Sequence, residues 1–448
     1  MFRTVLVANR GEIACRVFRA CRALGVKSVA VYSEADREAP HVRDADQATA
    51  IGGAPARESY LNIEAILDAA TRTGAEAIHP GYGFLSENWR FAEACARRGL
   101  VFIGPSPEAI RVMGDKTEAR RLMAGAGVPV LPGSEGTVAD AGEAEIVAGE
   151  IGYPVILKAA AGGGGIGMAR VHEPRELPTA FATATRRAQA AFGRAEVYVE
   201  RYLDRPRHVE VQIFGDAAGT LVHLHERECS IQRRHQKLVE EAPAPNLDPA
   251  VKAGLVAAAV KGARAIGYTN AGTLEFLLDA SGVFYFLEMN TRLQVEHPVT
   301  EETTGLDLVV EQLRVAAGER LRWRQDAVVQ RGAAIECRVY AEDPEKGFMP
   351  SPGTLARLEL PAGEGIRVES GVESGSAVSV HYDPLLMKLV ARGETRSQAL
   401  GRLARALEAC VIEGVKTTLP FLRRVVAHPE FVAGRVNTQM AEQGAFNG

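Results

Sequence analysis

Apolar and polar positions along the first part of the chain predict strands and helices in alternation. The apolar run Thr4–Ala8 is typical of a buried strand, and the segment EIACRVFRACRALG has the apolar spacing of an amphipathic helix that ends at Gly25. A second strand, KSVAVYS, follows, and the alternation continues to LVFIG. This order predicts a parallel α/β layer over roughly the first 110 residues.

The pattern changes in the middle of the chain. Proline and glycine become dense in VPVLPGSEG, which indicates a boundary from about Val128. A compact unit with a helix, a strand, a glycine run, a second helix and a second strand then extends to about Leu203. Beyond it, segments such as HVEVQIFG, TLEFLL and VFYFLEM alternate with period two, which favours an antiparallel sheet.

Composition and charge exclude some classes of protein. The chain has 448 residues, of which 46% are hydrophobic and 24% charged, as in an ordinary globular protein. Its 52 basic and 56 acidic side chains give a formal net charge of −4. This charge argues against a general polyanion binder, so we expect no nucleic-acid partner, but it leaves room for a local basic site.

Cysteine usage and hydropathy predict a soluble, cytoplasmic protein without a membrane partner. No C-x-x-C pair occurs, so reduced thiols are expected at Cys15, Cys21, Cys95, Cys229, Cys337 and Cys410. The N-terminus runs directly into a strand and leaves no room for a cleaved signal. No apolar run approaches the ~20 residues that a membrane span needs.

The glycine run in AAAGGGGIGM is a candidate phosphate-covering loop. Consecutive glycines let backbone N–H groups approach an anion closely, and Lys158 stands just before the run at the end of an apolar strand. The spacing matches neither the P-loop nor the Rossmann fingerprint. A flexible linker is the other interpretation.

Two glutamates on a predicted hairpin form a candidate metal site. If Leu278 pairs with Val283 across the DASG turn, Glu275 and Glu288 become diagonal neighbours on one face, roughly 7–8 Å apart at the backbone. Asn290 adds a neutral oxygen on the same face, and Mg²⁺ prefers one or two carboxylates together with phosphate oxygens. The alternative is a pair of solvent-facing acids on a half-exposed sheet.

The stretch EMNTRLQVEHPVTE carries a polar or charged residue at every second position. In an extended chain these side chains would line one face: Glu288, Asn290, Arg292, Gln294 and Glu296. Burying such a row unpaired is unfavourable, so a charged ligand is expected among them.

Three further segments give weaker signals. The stretch RECSIQRRHQKLVEEAPAP contains a basic cluster, which could also be a solvated surface: Arg233, Arg234, His235 and Lys237. The HLH segment at 223–225 has no third metal ligand nearby and is interpreted as ordinary strand residues. HPGYGFLSEN, with Tyr82 between glycines, suits a loop at the carboxyl edge of a parallel sheet, where ligands bind.

Seven segments carry a family resemblance in order across essentially the whole chain: NRGEIACR, HPGYGFLSEN, IGPSPEAIRVMGDK, KAAAGGGGIGM, YVERYLDRPRHVEVQ, ERECSIQRRHQKLVEEAPAP and EMNTRLQVEHPVTE. They resemble the motifs of biotin carboxylase, an ATP-grasp enzyme. The resemblance implies a fold of the α/β and α+β class. It places a parallel α/β domain at 1–114, linker helices and a mobile glycine-rich lid at 115–203, an ATP-grasp catalytic domain at 204–330, and a C-terminal antiparallel-sheet domain at 331–448.

The resemblance also implies site residues, carried over motif by motif. ATP would be contacted by Lys116, Lys158, Gly162, Gly163, Gly164, Gly165, Glu200, Arg201, Leu203, His208, Gln232, His235, Glu275 and Glu288. The metal would be held by Glu275, Glu288 and Asn290, and bicarbonate by Lys237, Arg292, Gln294 and Val295. Glu296 would be the base, Arg338 would meet biotin, and Tyr82 would lie near biotin. The implied catalytic set is Lys237, Arg292, Glu296 and Arg338.

The implied reaction is the carboxylation of biotin with ATP, Mg²⁺ or Mn²⁺, and bicarbonate, giving ADP, phosphate and N1-carboxybiotin. It would be the first half-reaction of a biotin-dependent carboxylase, with an acyl-CoA carboxylase of fatty acid biosynthesis favoured. No A-M-K-M-type motif occurs in the chain, so biotin would come on a carrier protein, either another polypeptide or a part not present here. A carboxyltransferase partner and a homodimer are expected from the resemblance.

The chain departs from the family pattern at three positions. Ile166 stands where the lid motif usually has a basic residue, Ala161 replaces the first glycine of the lid, and Pro384 stands where relatives often have serine. Two other interpretations of the chain stay open. It could be a nucleotide-binding relative without catalysis, or an ATP-grasp ligase with a different acceptor.

Overall fold

The computed structural model describes residues 1–160 and 167–447, and its N-terminal region alternates strands and helices. The strands are β1 (Thr4–Val7), β2 (Lys27–Ser33), β3 (Gln47–Gly52), β4 (Ala77–His79) and β5 (Val101–Phe102). The helices are α1 (Gly11–Ala23), α2 (Pro40–Asp44), α3 (Ile63–Thr73), α4 (Trp89–Arg97) and α5 (Pro107–Gly114). The strands pair in parallel in the order β3-β2-β1-β4-β5. The predicted parallel α/β layer is therefore confirmed.

A smaller unit follows, built on a three-stranded antiparallel sheet. Its helices are α6 (Lys116–Gly125), α7 (Ala141–Ile151) and α8 (Leu177–Phe192), and its strands are β6 (Val155–Ala159), β7 (Ala169–Val171) and β8 (Val197–Arg201). The strand order is β7-β6-β8. The predicted glycine loop, Gly162–Gly165, and Ile166 lie outside the described residues.

The rest of the chain is mostly antiparallel. Its strands are β9 (Arg207–Gly215), β10 (Leu221–Arg233), β11 (Gln236–Ala242), β12 (Asn270–Leu278), β13 (Phe284–Asn290), β14 (Ala333–Tyr340), β15 (Glu342–Asp343), β16 (Met349–Pro350), β17 (Gly353–Thr354), β18 (Arg357–Glu359), β19 (Ile366–Ser370), β20 (Ala377–Val378), β21 (Leu385–Gly393) and β22 (Val411–Glu413). Its helices are α9 (Pro249–Ala265), α10 (His297–Thr304), α11 (Leu308–Ala316), α12 (Arg396–Ala409), α13 (Leu419–Ala427) and α14 (Pro429–Val432).

Eight of these strands form one sheet, in the order β13-β12-β9-β10-β11-β14-β21-β19. Strands from both sides of residue 330 are hydrogen-bonded neighbours in it, because β11 pairs with β14 from Val239 opposite Cys337 to Ala242 opposite Ala334. Side chains on β13 at one side and on β14 and β21 at the other are therefore held by one continuous sheet.

The predicted register of the β12–β13 hairpin is wrong. Leu278 pairs with Phe284, one residue beyond its predicted partner, because the turn is longer. That slip alone would move Glu288 to the other face of the sheet from Glu275, since side chains alternate with period two. A bulge at Leu287 restores the face, and Glu275 lies directly opposite Glu288 rather than diagonal to it.

The predicted extended row along EMNTRLQVEHPVTE is also wrong beyond Asn290. Strand β13 ends at that residue, and 291–296 is irregular. Glu296 is the residue before helix α10, whose second residue is Pro298. Proline is well tolerated there because it lacks an N–H that would have no helical partner. The row therefore bends out of the sheet instead of continuing along it.

Apolar side chains fill the space between these layers. One buried cluster lies in the C-terminal part around Leu389 and Leu403, and another joins α1 to β9, β12 and α11 through residues such as Phe18 and Phe214. All six cysteines are buried and free, in agreement with the prediction of reduced thiols. Among the described residues, no helix combines the length and the apolar composition needed to cross a membrane.

A glycine marks the closest approach between the N-terminal and C-terminal regions. A Cβ added at Gly371 would lie 2.4 Å from the backbone nitrogen of Glu12, at the start of α1. We predict that Gly371→Ala lowers the free energy of unfolding by about 1–3 kcal/mol, because backbone atoms would have to move apart. Urea unfolding measures this change.

The matched control is Gly401→Ala in α12, where the nearest atom to an added Cβ is Arg405 Nη1 at 3.7 Å. This substitution should leave stability unchanged or raise it by up to about 1 kcal/mol, since alanine favours a helix over glycine. Equal unfolding curves for the two variants would contradict the packing described for Gly371.

Candidate active site

A cavity of about 620 Å³ lies between the small three-stranded unit and the eight-stranded sheet. It brings together most of the residues named from the sequence: Lys116, Lys158, Arg201, Leu203, His208, Gln232, His235, Lys237, Glu275, Glu288, Asn290, Arg292, Gln294, Val295 and Arg338. Arg234 of the basic cluster lines it as well. Three of the four members of the basic cluster thus line the cavity, although Arg234 and His235 are also exposed in the turn between β10 and β11. Arg233 instead pairs with Glu342 at 3.4 Å.

Three of the sequence-named residues lie next to the cavity without lining it. Glu200 is buried and pairs with Lys158, whose Nζ donates to Glu200 Oε2 at 2.5 Å. Tyr82 lies under the ammonium of Lys388, which is 5.8 Å from the centre of the ring. Glu296 is fully buried and reaches the cavity only through its partners. The predicted glycines, Gly162–Gly165, are outside the described residues.

The ammonium group of Lys237 is the centre of the site. Its Nζ donates to Glu210 Oε2 at 2.5 Å, Glu275 Oε1 at 2.6 Å and Glu296 Oε1 at 2.7 Å. Burial by itself lowers the pKa of Lys237, but the attraction of the three carboxylates outweighs burial and holds this pKa well above its ordinary value. Lys237 is therefore charged, and it holds three acids from three strands or loops together.

Glu296 is an ionised base candidate. Its Oε2 accepts a hydrogen bond from Arg338 Nη2 at 2.9 Å, in addition to the bond from Lys237. Burial alone would raise the pKa of Glu296, but the charges of Lys237, Arg338 and Arg227 hold it well below its ordinary value. Glu296 is therefore ionised.

Sequence reasoning missed the arginine that supports this cluster from beneath. Arg227 is fully buried, and its Nε donates to Glu210 Oε1 at 2.5 Å. Its other nitrogens donate to Gln212 at 2.8 Å, Thr300 at 3.0 Å and Thr273 at 3.2 Å. Glu210 is thus fixed on one side by Arg227 and on the other by Lys237. Polar residues at alternate positions of HVEVQ were the available signal, since alternation puts them on one face of β9.

The hairpin acids are held by cations on either side. Glu288 Oε2 accepts from Lys116 Nζ at 3.1 Å, and Glu275 Oε2 lies 2.9 Å from His208 Nε2. Burial would raise the pKa of Glu275, but Lys237 and His208 outweigh it and lower this pKa. Burial would lower the pKa of His208, but Glu275 outweighs it and raises this pKa. Glu275 is therefore ionised, and both acids face basic side chains.

This donor set fits a divalent cation. Glu275 and Glu288 lie opposite each other on neighbouring strands, and the amide of Asn290 hydrogen-bonds Glu275 at 2.8 Å. Carboxylate and amide oxygens are the ligands that Mg²⁺ prefers. Among the described residues, two groups of three side chains have potential metal-ligating atoms that all lie within 4.8 Å of one another. These groups are His208–Glu210–Glu275 and Glu210–Cys229–Glu296. Glu288 belongs to neither, so a shared cation would draw it towards Glu275.

The HLH segment lies on β10 and carries two histidines that pack against each other. His223 and His225 pack edge to face, with ring centres 5.1 Å apart, and in the part of the chain that the structure describes neither belongs to a group of three metal-ligating side chains. Burial lowers the pKa of His223 to about 4, so it is neutral at physiological pH. The interpretation as ordinary strand residues agrees with this placement.

The guanidinium of Arg292 is fixed at the rim of the cavity. Its Nε donates to Glu87 Oε2 at 2.9 Å, and its Nη2 donates to Asn290 Oδ1 at 2.9 Å. Its Nη1 donates to Gln294 Oε1 at 3.1 Å. Glu87 belongs to the HPGYGFLSEN motif, so the loop after β4 orients Arg292 from across the cavity. Sequence reasoning missed this contact, because the two residues are far apart in the chain.

A second pair of acids lies behind Arg338. Glu240 Oε1 is 2.6 Å from Arg338 Nε, and Glu240 is directly opposite Glu336 on the neighbouring strand. Both acids are fully buried. Burial raises the pKa of Glu240 to about 7, with Arg338 lowering it in part. Arg338 is therefore flanked by Glu240 and Glu296.

Comparisons with known proteins agree with this arrangement. The family models that match are "Biotin carboxylase, N-terminal domain" at 1–110, "Carbamoyl-phosphate synthase L chain, ATP binding domain" at 115–324, and "Biotin carboxylase C-terminal domain" at 336–443. A biotin carboxylase of Nostoc sp. is 53% identical over 442 residues, which cover 99% of each chain. A pyruvate carboxylase subunit of Methanothermobacter thermautotrophicus is 52% identical over 443 residues, covering 99% of this chain and 90% of that one.

Solved structures give the same result. The crystal structure of the biotin carboxylase domain dimer of Hydrogenobacter thermophilus 2-oxoglutarate carboxylase, in complex with MgADP, ADP and bicarbonate, superposes with a TM-score of 0.97. It is 49% identical and covers 100% of this chain and 99% of that chain.

The buried acid behind Arg338 generates a prediction for the pH dependence of stability. In the unfolded chain Glu240 would have a pKa of about 4.3, whereas in the folded protein burial raises it to about 7. At pH values between these two pKa values, Glu240 is protonated in the folded protein and ionised in the unfolded chain. The stabilisation is full below about pH 4.3 and is lost as the pH rises through the folded pKa.

Glu240→Gln mimics the protonated acid at every pH. Between pH 5 and pH 8, wild type should therefore lose roughly 1–3 kcal/mol of unfolding free energy relative to this variant. Urea unfolding of both proteins across this pH range measures the difference. A difference that stays constant with pH would contradict the raised pKa of Glu240.

Proposed function

We propose that this chain, which belongs to the biotin carboxylase family of ATP-dependent ligases, carboxylates biotin on a carrier protein with bicarbonate and ATP. The products are N1-carboxybiotin, ADP and phosphate. One observation carries the proposal: Lys237, Arg292 and Arg338 line one cavity, and the ionised Glu296 is bonded to two of them. A nucleotide-binding protein without this chemistry has no need of three fixed cations around a buried base.

The nucleotide would occupy the part of the cavity nearest the small three-stranded unit. Lys116 and Lys158 line this part and are the cations expected at the phosphates. Leu203 and Arg201 line the same side, where the adenine is expected. The cation Mg²⁺ or Mn²⁺ would be held by Glu275, Glu288 and Asn290, and when bound it would neutralise charge on the phosphates.

Bicarbonate would lie between Lys237 and Arg292, with Gln294 and Val295 beside it. Bicarbonate is an anion that must attack another anion, so fixed positive charges are needed to offset the repulsion. Arg292 is oriented for this by Glu87 and Asn290, and its planar guanidinium can bind two oxygens at once.

Glu296 would remove the proton of bicarbonate while a bicarbonate oxygen attacks the γ-phosphorus of ATP. The new bond between oxygen and phosphorus forms as the bond to ADP breaks, which gives carboxyphosphate and ADP. Lys237 and Arg338 hold the pKa of Glu296 low, so Glu296 is a weak base. Proton transfer from bicarbonate therefore requires close contact between the bicarbonate hydroxyl and the Glu296 carboxylate.

Biotin would bind near Arg338. Carboxyphosphate breaks down to CO₂ and phosphate, and the phosphate takes the proton from the ureido nitrogen N1 of biotin. N1 then attacks CO₂ to give carboxybiotin. Arg338 would stabilise the negative charge that develops on the ureido oxygen, and Tyr82 would lie on the same side. Glu240 Oε1 lies 2.6 Å from Arg338 Nε and adds a second acid beside this guanidinium.

The wider assignment is also a proposal. We infer that the chain works with a biotin carboxyl carrier protein and a carboxyltransferase, as a homodimer in the cytoplasm, with domains at 1–114, 115–203, 204–330 and 331–448. An acyl-CoA carboxylase of fatty acid biosynthesis is the favoured setting. Relatives at similar identity include a pyruvate carboxylase subunit, so the final acceptor has to be identified by assay with the partner carboxyltransferase.

A coupled assay of ADP release tests the proposed function. ADP release should require ATP, Mg²⁺, bicarbonate and biotin together, and biotinylated carrier protein should replace free biotin at lower concentration. Release that is independent of biotin would indicate an ATP-grasp ligase with another acceptor. Nucleotide binding without any release would indicate a non-catalytic relative.

Glu296→Gln should lower biotin-dependent turnover by ~10²-fold or more while leaving ATP affinity nearly unchanged, because it removes the proton acceptor. Steady-state kinetics and nucleotide titration measure the two effects. The control is Glu301→Gln, one turn into α10, whose carboxylate faces Arg16 at 2.8 Å and not the cavity. Unchanged carboxylation in Glu296→Gln would contradict the assignment of the base.

A further inference from the structure

We propose that Lys388 is a positioning residue for the segment 291–296, which presents Arg292, Gln294 and Glu296, and that Glu12 is its counterion. The inference rests on the proposed function, because that segment is where bicarbonate would bind. Neither residue lines the cavity.

The contacts of Lys388 are unusual for a lysine. Its side chain has no exposed surface, although lysines are almost never fully buried without a partner. Its Nζ donates to the backbone carbonyl of Val295 at 2.7 Å and lies 3.2 Å from Glu12 Oε1. The same ammonium is 5.8 Å from the centre of the Tyr82 ring, where a cation is attracted to the aromatic face.

The acceptor of this bond is what gives Lys388 a role in the reaction. Residues 291–296 belong to neither strand nor helix, so no backbone ladder fixes their geometry. The Val295 carbonyl belongs to the peptide plane that leads into Glu296. A bond to it restrains the backbone between Gln294, which lines the cavity, and Glu296, the base candidate. A charged donor makes this a strong hydrogen bond.

Acidic side chains from three elements face Lys388. The pKa of Glu369 is the one held low, whereas burial raises the pKa values of Glu12 and Glu336. Glu12 approaches from α1, Glu369 lies opposite on β19, and the charge of Lys388 also acts on buried Glu336 of β14. Arg338 is the residue opposite Lys388 on β14. The lysine thus lies beneath the biotin side of the site, one strand away from Arg338.

This pair also accounts for two sequence segments that the proposed reaction leaves without a role. Glu12 belongs to NRGEIACR and Lys388 to HYDPLLMKLV. The start of α1 is held against the C-terminal region at Gly371, so Glu12 has a fixed position from which to reach Lys388. The N-terminal region therefore supports the bicarbonate segment through one buried ion pair.

The experiment compares Lys388→Met with the double variant Lys388→Met/Glu12→Gln. Methionine keeps the length of the side chain but cannot donate to Val295, and it leaves Glu12 buried without its cation. Glutamine in the double variant replaces the carboxyl group, whose pKa burial raises, with a neutral amide of the same length. The control is Lys27→Met, at an exposed position at the start of β2. Steady-state kinetics and thermal unfolding are measured for all four proteins.

We expect Lys388→Met to raise the KM for bicarbonate roughly tenfold and to lower kcat, with the KM for ATP within about twofold of wild type. The double variant should regain melting temperature relative to Lys388→Met but keep the raised KM for bicarbonate. If the single variant does not fold, the double variant supplies the same comparison. Lys27→Met should match wild type.

Several outcomes would overturn the inference. A wild-type KM for bicarbonate in folded Lys388→Met would do so. Recovery of both the KM for bicarbonate and the melting temperature in the double variant would also overturn it. Failure of both variants to fold would do the same. Each of these results would make Lys388 a purely structural ion. Failure of the proposed function is distinct: wild type itself would then show no ADP release dependent on bicarbonate and biotin.

Discussion

The site depends on one interaction, the hydrogen bonds from Lys237 to Glu210, Glu275 and Glu296. Three carboxylates this close would repel one another and would be protonated without a cation among them. Lys237 attracts all three and brings acids from β9, β12 and the residue before α10 to one point. The pKa values of Glu275 and Glu296 are held low there, whereas burial raises the pKa of Glu210. Removal of its charge would leave buried acids uncompensated, which is strongly unfavourable. The positive and negative side chains that the proposed reaction would use are arranged around this lysine.

The eight-stranded sheet is what makes this arrangement possible. It carries Glu275 on β12, Glu210 on β9, Lys237 on β11 and Arg338 on β14, so four ladders fix their relative positions. The irregular segment after β13 is the exception, because Arg292 and Glu296 leave the sheet there. Their positions are set instead by side-chain contacts, from Glu87 on one side and from Lys237 and Arg338 on the other. The candidate site thus combines side chains on a rigid sheet with a segment whose position depends on side-chain contacts.

The sequence was sufficient for those parts of the fold that depend on local periodicity. The alternation from β1 to β5 could be predicted because strands and helices differ in the spacing of their apolar residues. The register at Glu275 and Glu288 could not, since it depends on the length of a turn and on a bulge at Leu287 that leaves no clear mark in the sequence. The two acids were correctly predicted to lie on one face, but they were expected to be diagonal neighbours, whereas the hairpin places them directly opposite each other.

Most of the candidate site residues were predicted from the resemblance of whole motifs to a known family. The strand residues that the sequence did not predict have a common property. Arg227, Glu210 and Glu240 lie on strand interiors and acquire meaning only from their neighbours on other strands. In the sequence they are indistinguishable from residues on a solvated face of a sheet. Lys388 belongs to the same class, because its acceptor, a backbone carbonyl, has no sequence signature at all.

The central claim is that the cavity places bicarbonate against the γ-phosphorus of ATP, so that a bicarbonate oxygen becomes part of the phosphate released. The direct test uses bicarbonate labelled with ¹⁸O, with phosphate analysed by mass spectrometry before the label exchanges with water. One labelled oxygen is expected in the phosphate for each biotin carboxylated. Carboxylation that releases unlabelled phosphate would contradict it.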